Sequence, residues 1–323
     1  MNKTLRLLVT VSRPEFLPAN SASLFLGISW GISPPVDLIL GVVIPSVLTF
    51  AIITLIAAFA AQVNTISDYE LDSKDSRKKE LVLAMCQLGQ DKLKPFMVLE
   101  LMLSLVLLII LFLILEKPAL PIMWIASVIL AYTYSAKPLR LKSRSWLAVI
   151  TLLIVLSILP ILFVYHTFTS NLNPFFLLFL SGQALTVYGV IIPAEIRDYW
   201  GDKALDIETM TVRIGLVKAS VFSLLLLSIG GILCGTGIFL KLVYGPYPAL
   251  TVLLFIMVVA YYVILRKYKT LYFLSKEYSS SSDKSSIEQD IVKLSSQNPK
   301  WITLLTQTIV VMSIVVLLSK ILS

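Results

Sequence analysis

Residues 38 to 72 read LILGVVIPSVLTFAIITLIAAFAAQVNTISDYELD. The stretch is apolar as far as Val63, and at Asn64 it turns abruptly polar and acidic. A bilayer core about 30 Å thick takes about 20 residues of helix to cross. Residues 39 to 63 therefore predict a membrane span that ends at the water boundary, where the acids begin. The same kind of apolar run recurs at 17–36, 95–115, 118–136, 146–165, 174–194, 216–240, 248–265 and 301–322. The expectation is an all-α polytopic membrane protein, a bundle of nine transmembrane helices forming a single membrane-embedded domain over residues 1–323. The first run is broken by Pro18, Asn20, Ser21 and Ser23, and the third carries Glu100, an ionisable group inside a span and so a functional candidate.

Composition agrees. Of 323 residues 57% are hydrophobic and only 14% charged, with a mean hydropathy of +0.88, whereas soluble domains carry about 25% charged residues. An ordinary cytosolic enzyme is excluded. The formal charge of +8 does not indicate nucleic-acid binding, because the basic residues sit between apolar runs instead of covering one polar face. Of the 27 Lys and Arg residues, all but Lys117, Lys241 and Lys320 fall on one side of the predicted membrane. The positive-inside rule makes that side the cytoplasm and puts the N-terminus there. The N-terminal apolar run, interrupted by Arg6 and Arg13, is too short for a cleavable signal peptide. Residues 266–300 read as a cytoplasmic Ser-rich connecting loop, its 275–298 stretch a mobile surface linker. Two cysteines and one histidine offer neither a disulfide framework nor a Cys/His metal cluster.

The chemistry-bearing residues follow the second and sixth spans. Asn64, Asp68 and Asp72 are four residues apart and stack on one face if the helix continues. Stacked carboxylates repel and favour a counter-cation, and an oxygen-only set favours a hard ion. Mg²⁺ in particular takes one or two carboxylates plus substrate phosphate oxygens. Glu195, Asp198 and Asp202 repeat the pattern after the sixth span. Two such stripes at the same membrane surface suggest a clamp for metal and diphosphate, while a single one would serve equally as a solvated helix start, where the macrodipole favours acids.

The segment Asn64-Thr-Ile-Ser-Asp68-Tyr-Glu-Leu-Asp72 resembles the NDxxDxxxD motif of the UbiA superfamily of intramembrane prenyltransferases, and Asp198-Tyr-Trp-Gly-Asp202 its DxxxD motif. Further matches are Arg13-Pro14, the loop from Tyr132 to Lys142 (YTYSAKPLRLK) and Thr211-Val-Arg213-Ile-Gly215. The resemblance covers nearly the whole chain. It implies a helical bundle around a central cavity, open laterally to lipid and capped by cytoplasmic segments that carry the motifs. It further implies Mg²⁺ held by Asn64, Asp68 and Asp72 on one side and by Asp198 and Asp202 on the other, with these aspartates as the catalytic groups. Glu195 would bind metal or orient the acceptor. Two departures stand out. Thr65 replaces a motif aspartate, although its hydroxyl could hold a metal-bound water, and Arg77-Lys-Lys79-Glu follows Asp72 where many members have Arg-Pro and Pro-x-Gly.

Charge growing on a departing diphosphate calls for fixed cations. Candidates are Lys137, Arg140 and Lys142 in one loop and Arg77, Lys78 and Lys79 in another, all of which the positive-inside rule would also place there. Tyr69, Tyr132, Tyr134, Tyr188, Tyr199 and Trp200 cluster at the motifs, as shields for a carbocation or as interfacial anchors. The resulting expectation is a Mg²⁺-dependent transfer of an isoprenyl group from a polyprenyl diphosphate to a lipid-soluble acceptor, with pyrophosphate released. The acceptor would be an aromatic quinone precursor, a glycerol-phosphate lipid or a carotenoid. Rival readings are a terpene cyclase on the same scaffold and a secondary transporter, although a transporter would place its ionisable groups near the bilayer midplane. The site would face the cytoplasm from a multi-pass protein of the cell membrane.

Overall fold

The computed structural model describes residues 3–33, 37–74, 78–204, 207–244, 249–281 and 283–322. Among them the regular structure is entirely helical. In order the helices are α1 (Lys3–Val11), α2 (Leu17–Gly31), α3 (Ile44–Ser67), α4 (Tyr69–Asp72), α5 (Lys79–Leu88), α6 (Gln90–Leu115), α7 (Ala119–Ser135), α8 (Trp146–Leu153) and α9 (Leu159–Phe168). They continue as α10 (Pro174–Ala204), α11 (Met210–Ile214), α12 (Leu216–Val243), α13 (Ala249–Ser280), α14 (Lys284–Ser295) and α15 (Asn298–Leu322). Seven helical stretches among the described residues are long and apolar enough to cross a bilayer. Two of the apolar runs form shorter helices, α2 with 15 residues and α7 with 17. Large apolar side chains face outward along these helices, among them Leu113 and Phe255 at 70% exposure. Water would penalise such a surface heavily and lipid does not. The protein is a multi-pass membrane protein.

Prolines explain the departures from plain α-helix. A proline cannot donate to the carbonyl four residues back, so that carbonyl must be paired otherwise. Two π-helical turns precede prolines in this chain: Leu38–Val43 runs up to Pro45, and Ile154–Ile158 joins α8 to α9 just before Pro160. Each turn redistributes the ladder around the missing donor. The side chain of Asp37 caps the first of them by accepting from the Leu40 amide at 2.6 Å. Pro193, inside α10, is accommodated without such a turn.

The chain divides into two compact units, Met1–Leu141 with Leu159–Ser170, and Lys142–Ile158 with Asn171–Ser323, where the sequence suggested a single domain. In the first unit α3 packs against α6 and α7, α2 against α9, and α1 against α5. The last pairing buries Val11, Ala84, Met85 and Leu88. Gln62, fully buried on α3, donates through Nε2 to Ser12 Oγ and to Glu100 Oε1, both at 2.8 Å. A polar knot thus ties α3 to α6 and to the end of α1.

In the second unit α10 packs along α12 and beside α14, and α12 along α13. Tyr188, Ile192 and Ile196 make the buried stripe of α10, in one core with Met210, Leu216, Leu271, Ile287 and Ile291. Residues 266–300, read as a connecting loop, are for the most part helix. They hold the end of α13, all of α14 and the start of α15. The physical reason is a stripe that the serines obscure, Ile287, Ile291 and Leu294, which gives α14 an apolar face to bury.

Candidate active site

Helix α3 runs past Val63, the end of the span read from the sequence, and stops at Ser67. Its C-cap is Asp68, which leaves helical geometry at φ −108° and ψ 4°. The turn-by-turn stack nonetheless survives the break. The Asp68 amide donates to the Asn64 carbonyl at 3.0 Å, and the Asp72 amide to the Asp68 carbonyl at 2.8 Å. Asn64, Asp68 and Asp72 thus stay in register through α4.

Each of the three side chains has a named partner. Ser135 Oγ, at the end of α7, donates to Asn64 Oδ1 at 2.9 Å. Arg140 Nη2 donates to Asp68 Oδ1 at 3.0 Å. Lys78 Nζ donates to Asp72 Oδ1 at 2.6 Å, pairing a lysine of 39% side-chain exposure with an aspartate of 3%. Arg140 reaches Asp68 from a left-handed backbone, φ 38°, a conformation costly to any residue with a Cβ and one that clusters at functional sites. Asp72 Oδ2 is buried and accepts no hydrogen bond among the described residues. It is an oxygen with a lone pair to give, and with the neighbouring carboxylate and amide oxygens it makes a donor set suited to a hard divalent ion.

Several sequence candidates take other places. Arg77 lies outside the described residues. Lys137 is exposed beyond α7, Tyr134 is partly buried in the last turn of α7, and Lys142 sits in the short turn Leu141–Ser143, within the second unit. Thr65, at 2% exposure, turns its hydroxyl back on its own helix and donates to the Ala61 carbonyl at 2.9 Å. Tyr69 shares a hydrogen bond with Cys86 that raises its phenol above the ordinary tyrosine value, and this links α4 to α5. Ser135 was not signalled by any spacing, because its partner lies 71 residues away in the chain.

In the second unit, α10 carries the other motif on its final turns. Arg197 grips Asp198 with two parallel bonds, Nε to Oδ1 at 2.8 Å and Nη2 to Oδ2 at 3.0 Å. Asp202 lies one turn further on and is partly buried. Both oxygens of Glu195 are taken up by hydroxyls, Oε2 by Thr211 at 2.9 Å and Oε1 by Tyr188 at 3.4 Å. Glu195 therefore fastens α11 to α10. Trp200 donates to the Tyr278 hydroxyl at 2.9 Å and stacks edge-on against Tyr199 and Tyr278 with centroids 5.5 Å apart, which locks the motif turn onto α13.

Pro193 sits above this motif, and the carbonyls around it are paired from outside the helix. Ser223 Oγ of α12 donates to the Gly189 carbonyl at 2.7 Å, and Asn298 Nδ2 to the Val190 carbonyl at 2.6 Å. Among the described residues no three Asp, Glu, His or Cys side chains gather into one metal-holding group. An oxygen set that supplies one or two carboxylates per ion and leaves other positions to substrate phosphates is the arrangement magnesium favours.

The chain thus combines an all-α, multi-pass membrane fold with an aspartate motif at a helix end in each unit, the first of them ion-paired to Lys and Arg. The chain belongs to the UbiA prenyltransferase family, whose model matches residues 22–272. Solved structures share the fold. A UbiA homolog from Archaeoglobus fulgidus bound to GPP and Mg²⁺ superposes with a TM-score of 0.65 at 15% identity, covering 93% of this chain and 99% of that one. A digeranylgeranylglyceryl phosphate synthase structure gives 0.63 at 16%, covering 97% and 99%. The apo UbiA homolog from Aeropyrum pernix K1 gives 0.59 at 14%, covering 90% and 98%. No curated protein matches the chain in sequence.

Proposed function

We propose that this protein transfers an isoprenyl chain from a polyprenyl diphosphate to a lipid-soluble acceptor at the cytoplasmic face of the membrane, with release of pyrophosphate. The observation that carries the reading is the set of ion pairs in the first motif. Asp68 with Arg140 and Asp72 with Lys78 put carboxylates for a metal beside cations for a diphosphate. The GPP and Mg²⁺ bound by the Archaeoglobus fulgidus homolog support it.

In this reading Asn64, Asp68 and Asp72 hold one magnesium site, and Asp198 and Asp202 a second. Bound magnesium supplies Lewis-acid stabilisation of the charge that develops on the diphosphate oxygens. Arg140 and Lys78 bind the diphosphate from the first motif, with Lys137, Lys142 and Arg77 as further cations of the same loops. The allylic C–O bond breaks with its electron pair leaving on the diphosphate, the acceptor forms the new bond at that carbon, and a proton leaves the acceptor. Glu195, tied to Thr211 and Tyr188, orders the motif helix, and Tyr134 stands as a candidate acceptor contact. The acceptor is an aromatic quinone precursor, a glycerol-phosphate lipid or a carotenoid.

Asp68→Ala and Asp202→Ala are each expected to abolish pyrophosphate release from labelled geranylgeranyl diphosphate, and unchanged turnover in both would sink the proposal. Mass spectrometry of products formed with a panel of the three acceptor classes identifies the acceptor. A cyclic hydrocarbon formed from donor alone would replace transfer with cyclisation.

A further inference from the structure

Helix α10 must bring Asp198 and Asp202 to one orientation on the far side of a proline. Without an N–H, Pro193 leaves the Gly189 carbonyl unpaired in the ladder, and its ring crowds that turn. In the apolar region no water can take the freed carbonyl, so protein groups have to. At two other prolines of this chain, Pro45 and Pro160, the difficulty is met by a π turn just before the ring, whereas Pro95 stays within the plain α-helix α6. A π turn adds one residue to the turn and would rotate every following side chain by roughly 100°. In α10 such a rotation would take the aspartates out of phase with the buried stripe of Tyr188, Ile192 and Ile196. Helix α10 instead stays α-helical from Pro174 to Ala204, with Ser223 and Asn298 bonded to the carbonyls beside the proline.

The geometry points to Asn298 as a positioning residue for the second aspartate motif, acting as an external splint on the Pro193 turn of α10. It is 2% exposed at the first position of α15, and both ends of its amide are used. The Nδ2 end holds the Val190 carbonyl at 2.6 Å, and the Oδ1 end accepts from the Tyr268 hydroxyl of α13, also at 2.6 Å. The Tyr268 bond sets the rotation of the amide, so the donor is aimed before it meets the carbonyl. Asn298 lies beyond residues 22–272, the region the family model matches. The inference rests on Asp198 and Asp202 being the metal and diphosphate motif.

The test uses full-length protein in detergent, with Mn²⁺ binding in the presence of inorganic pyrophosphate read by EPR, alongside KM and kcat for the donor. Asn298→Leu is expected to weaken Mn²⁺ binding about tenfold, the scale of one lost buried hydrogen bond, and to raise KM more than it lowers kcat. Pro193→Ala returns a backbone donor to the Gly189 carbonyl and removes the ring that crowds the turn, so the turn, the Val190 carbonyl included, keeps its helical geometry without the splint. Adding Asn298→Leu to Pro193→Ala is therefore expected to cost nothing further. Wild-type Mn²⁺ affinity in Asn298→Leu, or an undiminished penalty in the double variant, would overturn the proposal. Asp202→Ala separates the two readings. If it fails to weaken Mn²⁺ binding, the motif assignment falls and the inference with it; if it weakens binding while Asn298→Leu does not, only the splint falls. Should Asn298→Leu not fold, Ser223→Ala is expected to show the same effect to a smaller degree, again relieved by Pro193→Ala, and its absence would overturn the proposal.

Discussion

Thr65 illustrates what residue types reveal and what they conceal. Its position in the motif identified it as a substitute for aspartate with a hydroxyl available to the site, yet that hydroxyl is bonded to the Ala61 carbonyl one turn back. Such back-bonding is a local habit of Ser and Thr in helices and is invisible in a spacing argument. Thr65→Val, which keeps the shape, is expected to leave pyrophosphate release within about twofold of the wild-type rate. A loss of tenfold or more would return the hydroxyl to the site. The spacing of Asn64, Asp68 and Asp72 was legible because each contact lies within one helical turn. Ser135 and Arg140, their partners, were legible only by motif or not at all, since only the folded chain brings residues 64 and 135 together.

At the scale of the element, hydropathy located the apolar helices well, because burial in lipid demands a run about 20 residues long. It could not reveal how the helices touch. Along the contact of α10 and α12, a Cβ added at Gly230 would lie 2.7 Å from the Gly182 carbonyl oxygen and 2.6 Å from Thr186 Oγ1. Bilayer helices often associate through such small residues, which let backbones approach. Gly230→Val is expected to push the pair apart and destabilise the protein by about 2 kcal/mol, as overpacking of a tight contact does. A lowered midpoint of thermal unfolding in detergent checks this, and an unchanged midpoint would refute it. The serines of 275–298 misled for a related reason, since composition suggested a linker while the spacing of Ile287, Ile291 and Leu294 specified a packed helix.

On the scale of the whole molecule, the division into two units was not readable from the sequence, because it depends on which helices share a core. Membrane orientation was argued from charge alone, and one thiol reports on it. Cys86 is exposed on α5 and Cys234 is buried in α12. With the N-terminus in the cytoplasm, a membrane-impermeant maleimide is expected to modify Cys86 in inside-out vesicles and leave right-side-out vesicles unlabelled. The reverse pattern would invert the topology.

The bond between Lys78 and the nearly buried Asp72, with that between Arg140 and Asp68, also bears on biogenesis. A bare carboxylate delivered next to hydrocarbon carries a heavy solvation penalty, and one matched by an opposite charge carries much less. These residues arrive on the chain with their counter-ions encoded nearby, Lys78 six residues after Asp72 and Arg140 on the loop that follows α7. A newly made chain can leave the insertion machinery with its acidic motif already neutralised, independent of how much divalent cation the surrounding solution offers.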